Sequence, residues 1–211
     1  MLGKLPIYSI NHDKSRLQHV YRLSTESDLN IMISKASDGS EWWESGKTFS
    51  HPWGGERLTA GMMGCAKSHL NLLTDGSKGG VVIFEDDAEL VMSMDCVHRF
   101  VEDVVKQSGN KWDIILLGAN EYVNSMPITQ QITRVYRFWG THAMIVHRDA
   151  FQFIKRTFKD SFDEGIFLPA DWMYNEAIRE HRMRVFAPSS PKLFFRQIPG
   201  LVSAITGKVR S

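Results

Sequence analysis

Glu85, Asp86 and Asp87 follow one another directly in the stretch VVIFEDDAEL, which runs from Val81 to Leu90. Carboxylates this close repel one another, and the repulsion grows as the surroundings lose water. The residues before them, Val81 to Phe84, are all apolar and read as a strand buried on both faces. An acidic triplet at the exit of such a strand has two readings. It is a solvated turn whose carboxylates splay into water, or it gathers a hard divalent cation, Mg²⁺ or Mn²⁺, that relieves the repulsion. In an extended segment Glu85 and Asp87 share one side and Asp86 points to the other.

Further residues invite a chemical reading beside a bland one. Asp171, in LPADWMYNEAI, is either a cap or first-turn acid of a helix or a general base for a substrate hydroxyl. His69 falls on an apolar helical stripe with Met62, Ala66 and Leu73, where a buried structural histidine is the plainer account. Trp42, Trp43, Phe49 and Trp53, on a long loop from Ser37 to Glu56, could stack on a sugar or base or simply fill core. Asn11 and Arg16, in INHDKSR, could meet a nucleotide, although turn chemistry produces much the same string.

These residues need elements to hold them. Strands are expected at Leu5–Ile10, Leu29–Ala36, GGVVIF and WDIILLG, with two more in TRVYRFWGTHAMIV meeting near Gly140 and a last one in MRVFAP. Helices are expected in NHDKSRLQHVYRL, LTAGMMGCAKSHLNLL, MDCVHRFVEDVVKQ, AFQFIKRTF and LPADWMYNEAIRE. Ser93 or Asp95 is the cap of the third. Strands alternating with helices argue for an α/β sheet, mostly parallel in its first half. Ligands in such sheets sit beyond the carboxyl ends of the strands, which sets Glu85–Asp87 at the mouth of a crevice.

The chain has 211 residues, 43% hydrophobic and 23% charged, as expected of one globular domain. A formal net charge of +1 gives no global attraction to nucleic acid, and the cluster REHRMR (Arg179 to Arg184) is too short to overturn that. Two cysteines, Cys65 and Cys96, make no disulfide framework, so a reducing, cytoplasmic setting is the default. No apolar run approaches the ~20 residues needed to span a bilayer. The chain reads either as a complete small domain or as a piece of a longer protein.

Taken together these segments resemble glycosyltransferase family 25, whose bacterial members build lipooligosaccharide, with others acting on collagen or encoded by large viruses. YSINHDKSR is similar to the family's opening strand, KASDG to the segment after its second strand, and LTAGMMGCAKSHLNLL to its Gly-x-x-Gly-Cys and Ser-His signature. VVIFEDDAEL resembles its metal motif, and GTHAMIVHRDAFQFI with LPADW its late strand-helix unit and following acid. Met62 stands where the family commonly has Glu, and no histidine follows His181.

The resemblance implies one GT-A-like α/β domain over residues 1–211, a mixed sheet flanked by helices. Its nucleotide-sugar half would cover about 1–118 and its acceptor half about 119–211. The implied chemistry is inverting, metal-dependent transfer from a UDP-sugar to a glycan acceptor, in the cytoplasm or at the periphery of a membrane that carries the acceptor. Mn²⁺ or Mg²⁺ would be held by Glu85 and Asp87, and Asp171 would be the base. Ile10, Asn11, Arg16, Ala36, Asp38, His69 and Asp86 would contact the donor, with Asp86 facing ribose or sugar. The alternatives are a Mg²⁺-dependent phosphohydrolase or nucleotidyltransferase, and a binding module without turnover.

Overall fold

Uninterrupted apolar runs form the middle of the sheet. In the computed structural model, which describes residues 2–41, 50, 52, 58–74, 78–199 and 201, the order in chain is β1 (Ile7–Asn11), α1 (Leu17–Ser27), β2 (Met32–Lys35), α2 (Ala60–Leu72), β3 (Gly80–Glu85), β4 (Ala88–Leu90), α3 (Met94–Gln107) and β5 (Ile114–Gly118). There follow β6 (Glu121–Pro127), β7 (Ile132–Trp139), β8 (Ala143–His147), α4 (Phe151–Asp163), α5 (Ala170–His181), β9 (Val185–Pro188) and β10 (Phe195–Gln197). Trp42, Trp43, Phe49, His51 and Trp53 lie outside the described residues, and with them the reading of the aromatic loop.

Eight strands make one mixed sheet in the order β2-β1-β3-β8-β5-β9-β7-β6. The first three are parallel, as expected for the first half. β8 then enters between β3 and β5, antiparallel to both. A sequence reading finds β8 as a strand but not its place, because pairing partners leave no mark on a fully apolar run. Alternation along β3 sends Val81 and Ile83 to a core shared with Met63, Ala66, Ile154 and Tyr174. Val82 and Phe84 face the opposite core, with Val97, Phe100, Val101 and Val104 of α3. The sheet is thus covered on both faces, by α2, α4 and α5 on one and α3 on the other.

Several boundaries differ from expectation for local reasons. The first strand runs on through Asn11, and the helix after it starts at Leu17, not in the NHD segment. Asp13 accepts a hydrogen bond from the Ser15 amide and so opens a short 3-10 turn, Lys14–Arg16, ahead of the helix. Ser93 takes the N-cap position of α3, yet its hydroxyl is turned to the Cys96 Sγ at 3.4 Å and caps no backbone amide. β6 escapes sequence reading because its residues are almost all exposed, so no alternation is imposed on them. Among the described residues the short strands β4 and β10 pair only with each other.

Candidate active site

The acidic triplet marks the end of β3. Only Glu85 belongs to the strand, and Asp86 and Asp87 form the turn into β4. The alternation that would put Glu85 and Asp87 on one side therefore stops at Glu85, and each carboxylate has its own surroundings. Asp86 is pulled toward the β1 exit: Arg16 donates to its Oδ1 at 2.7 Å and the His12 amide to its Oδ2 at 2.8 Å. Asp87 is buried. The Glu85 Oε1 accepts from the Thr141 hydroxyl at 2.5 Å and stands 3.7 Å from the Nε2 of buried His69. Burial alone would raise the Glu85 carboxyl, but the His69 imidazole and the Thr141 hydroxyl outweigh it and hold Glu85 below the usual carboxylate range. The Nδ1 of His69 is 3.0 Å from the Tyr174 hydroxyl. Burial pushes the Tyr174 phenol up, so it keeps its proton. Which of the two groups donates depends on the His69 tautomer, and only with the imidazole proton on Nδ1, donated to the Tyr174 oxygen, is Nε2 free to bind a cation. That bond leaves Nε2 as the edge of His69 turned to Glu85.

Two backbones meet to make the neighbouring wall. Ideal Cβ atoms would fall 1.9 Å from the Ala60 carbonyl oxygen at Gly39, and 2.4 Å from the Ser37 carbonyl oxygen at Gly64. The glycines of KASDG and of GMMGC are thus each other's reason, since only without side chains does α2 touch the loop after β2. Polar bonds fasten this contact. The Ser37 amide donates to the Ser68 hydroxyl at 2.8 Å, which donates to the Gly64 carbonyl at 2.6 Å, and Asn71 donates to the Ser37 hydroxyl at 3.0 Å. Gly64→Val should therefore lower the melting temperature, overpacking of this kind costing about 1–3 kcal/mol. It should also weaken any ligand held by the 36–40 loop; thermal unfolding with and without nucleotide checks both.

Between the β1 and β3 ends, that loop and α2 lies a cavity of about 530 Å³. Ile10, Arg16, Ala36, Asp38, Glu85, Asp86 and Asp87 all line it. Asn11 sits beside it, between the lining residues Ile10 and His12, with its side-chain Nδ2 buried and without a hydrogen-bond partner among the described residues. His69 is behind Glu85. Four carboxylates, Asp38, Glu85, Asp86 and Asp87, face two cations, Arg16 and Lys35. One cluster of cation-binding geometry occurs among the described residues: a ligand atom each from Cys65, His69 and Glu85, mutually within 4.8 Å. Asp87 is not a member of it. The carboxylate and imidazole of this set suit Mn²⁺, whereas the thiol is a donor for softer ions.

Asp171 comes within electrostatic reach of Glu85 from the other half of the chain. Pro169 is the N-cap of α5, so Asp171 is a first-turn acid, accepting from the Trp172 amide at 3.0 Å and from the Gly140 amide. Gly140 has φ of +82°, and a Cβ there would lie 2.7 Å from the Asn120 side chain, so this tight turn requires glycine. Its next residue is Thr141, the partner of Glu85. The β7–β8 turn thereby ties Asp171 to Glu85 through two consecutive residues. Burial, and then the Glu85 charge, raise the Asp171 carboxyl above its ordinary value despite the amide bonds.

Sequence reasoning missed Thr141, Lys35, Cys65 and Tyr174. Thr141 and Cys65 stood inside quoted motifs, but nothing in their spacing shows which way they point. Tyr174 is one helical turn beyond Asp171, a separation that would have put it on the same face of the helix.

The sequence model of glycosyltransferase family 25 (LPS biosynthesis protein) matches residues 4–166. No curated protein matches the chain. Among solved structures, a UDP-glucose pyrophosphorylase complexed with UDP-glucose is similar at a TM-score of 0.51, with 9% identity and 90% of each chain covered. A glycosyltransferase involved in glycosylation of the major capsid of PBCV-1 has a TM-score of 0.49, 12% identity and 94% of each chain covered. Mouse xyloside xylosyltransferase 1 has a TM-score of 0.43 and 9% identity, over 84% of this chain and 69% of its own. The first of these likenesses shows a shared fold, in keeping with the expected mixed α/β class.

Proposed function

This chain belongs to glycosyltransferase family 25, and on that premise we propose that it moves a sugar from a UDP-sugar donor to a hydroxyl of a glycan, inverting the anomeric carbon. One observation carries the reading. The Gly140–Thr141 turn ties a proton acceptor, Asp171, to Glu85, and Glu85 lines a cavity fit for a donor. In this reading residues 1–118 hold the donor and residues 119–211 the acceptor. A UDP-sugar is itself anionic, and a cavity with four carboxylates and two cations repels it unless a cation enters too.

Glu85 and Asp87, with the Nε2 of His69, would hold that cation, Mn²⁺ or Mg²⁺, which when bound supplies charge neutralisation for the departing diphosphate. The remaining steps belong to the chain's own residues. The Asn11 amide, buried and donor-rich, offers a hydrogen bond to the nucleotide, and Arg16, Asp38 and the Ile10 and Ala36 backbone shape its seat. Asp86 keeps Arg16 in place. The acceptor oxygen attacks the anomeric carbon as the bond to the diphosphate oxygen breaks. The bonding electrons leave with UDP, and the hydroxyl proton passes to Asp171. Its raised affinity for protons makes Asp171 a better acceptor than an ordinary aspartate. No helix among the described residues is long and apolar enough to cross a membrane. A cytoplasmic site of action completes the proposal, supported by Cys65 and Cys96 both lying outside any disulfide.

Incubation with a panel of UDP-sugars and Mn²⁺, with and without glycan acceptors, tests the reading. UDP release should rise with acceptor and stop in EDTA. Formation of UTP from a UDP-sugar and pyrophosphate would instead make the protein a nucleotidyltransferase, and binding without release would make it a carrier.

A further inference from the structure

A second cavity, of about 640 Å³, lies between β7 and α5, and its charge is opposite to the first. Arg134, Arg137, Arg179 and Arg182 line it together with a single carboxylate, Glu176. Arg179 is spent on Glu176, at 2.6 Å, and on Glu180 at 3.4 Å. Among the described residues no carboxylate lies within ion-pair distance of Arg134, Arg137 or Arg182. Three guanidinium groups without an ion pair thus converge on one cavity, Arg134 donating to the Met183 carbonyl at 2.9 Å, in a chain whose whole formal charge is +1.

The convergence is built into the sheet. Between the pairs Asn124↔Arg137 and Ser125↔Val135, β7 carries one residue more than β6, namely Tyr136. Consecutive residues of a regular strand point to opposite faces, but such a bulge re-aims one of them. Tyr136 and Arg137 therefore both line the cavity. Asn175 of α5 clamps the strand just past the bulge, accepting from the Phe138 amide at 3.1 Å and donating to its carbonyl at 2.7 Å. Aromatic rings back the cations: Arg137 lies 4.8 Å from the Trp139 ring centroid and 5.1 Å from that of Trp172, and Arg134 5.1 Å from that of Phe186. Trp172 also lines the cavity, and its chain neighbour is Asp171.

We propose that this basic, aromatic-walled cavity is an acceptor subsite that binds an anionic sugar, one bearing a phosphate or a carboxylate, next to the hydroxyl that Asp171 deprotonates. The assignment rests on the transferase reading of the Asp171 side. Guanidinium groups pair with both anions through charge-assisted hydrogen bonds, and Tyr136 and Trp172 add aromatic surface to the wall.

The test uses glucose 6-phosphate, glucuronate and glucose as probes, titrated by calorimetry into the full chain at low and physiological salt. Arg134→Gln/Arg182→Asn removes two of the charges, and Arg182→Asn alone serves if the double variant is unstable. Arg182 is exposed with φ of 52°, a left-handed conformation that asparagine tolerates. One or both anionic sugars should bind about tenfold or more tighter than glucose, the scale of one charge-assisted hydrogen bond. That preference should shrink with salt and in either variant, and the two anionic arms tell phosphate from carboxylate. UDP binding in Mn²⁺ reads the donor site separately and should be unchanged in the variants. Equal binding of all three sugars, or a preference that survives the substitutions, overturns the subsite even where UDP still binds. Tighter, variant-sensitive binding of a random oligonucleotide overturns it in favour of nucleic acid.

Discussion

Asp171→Asn is expected to transfer sugar roughly 10²–10⁴-fold more slowly than the parent chain, the usual contribution of a general base, while still binding UDP. Asparagine keeps an oxygen for the Trp172 amide, so the start of α5 has no reason to change. Stability moves in the other direction from activity. Burial raises the Asp171 carboxyl above 3.8, which means the fold prefers it neutral. A group raised in the folded state contributes stability below its unfolded value and loses that contribution as pH rises through its folded value. At neutral pH the folded chain therefore carries an unfavourable buried charge, and the neutral asparagine should melt at the same temperature or higher. Asp171→Ala removes the acceptor for the Trp172 and Gly140 amides and should cost about 1–3 kcal/mol. For the parent chain the acid limb of turnover should fall above the ordinary aspartate value of 3.8, because the base must be ionised to work. An asparagine variant with near-parental turnover would remove Asp171 from the mechanism.

Glu85→Gln should have an effect of similar size through the donor. Its oxygen can still accept from Thr141, but the charge facing His69 is gone. Loss of even an outer-shell partner weakens metal sites about 10–100-fold, and loss of a ligand should exceed that. Mn²⁺-dependent UDP binding and turnover should both collapse. The stability sign is opposite to that of Asp171. Glu85 is held below its ordinary value of 4.5, so its ionisation stabilises the fold above that pH, and the benefit disappears as pH falls through the folded value. Glu85→Gln should thus melt lower than the parent at neutral pH, with the gap closing in acid. A simple picture of three mutually repelling carboxylates predicts the reverse, a stabilised variant. Melting curves at several pH values separate the two.

What the sequence disclosed and what it hid divide along physical lines. The position of the triplet at a strand exit was legible, because a buried strand turns abruptly from apolar to charged only where it leaves the core. The separate fates of its members were not, since Asp86 answers to Arg16 and Glu85 to Thr141, residues 70 and 56 positions away. Gly39 and Gly64 each read as ordinary loop or helix glycines, and only their mutual contact accounts for either. Asp171 could be weighed as cap or base but not placed, because the turn that brings it to Glu85 depends on β8 inserting beside β3. The basic cavity was half visible in REHRMR, where the net charge of the whole chain masks it. Its other arginines come from β7, and no one-dimensional count unites them.

The central claim is that Glu85 helps hold a cation through which the anionic donor binds, and calorimetry of UDP measures that directly. UDP should bind markedly tighter in Mn²⁺ than in EDTA, Mn²⁺ should bind tighter in UDP by the same factor, and Glu85→Gln should lose both effects. Equal UDP affinity with and without Mn²⁺, in a parent chain that still releases UDP to an acceptor, would contradict it.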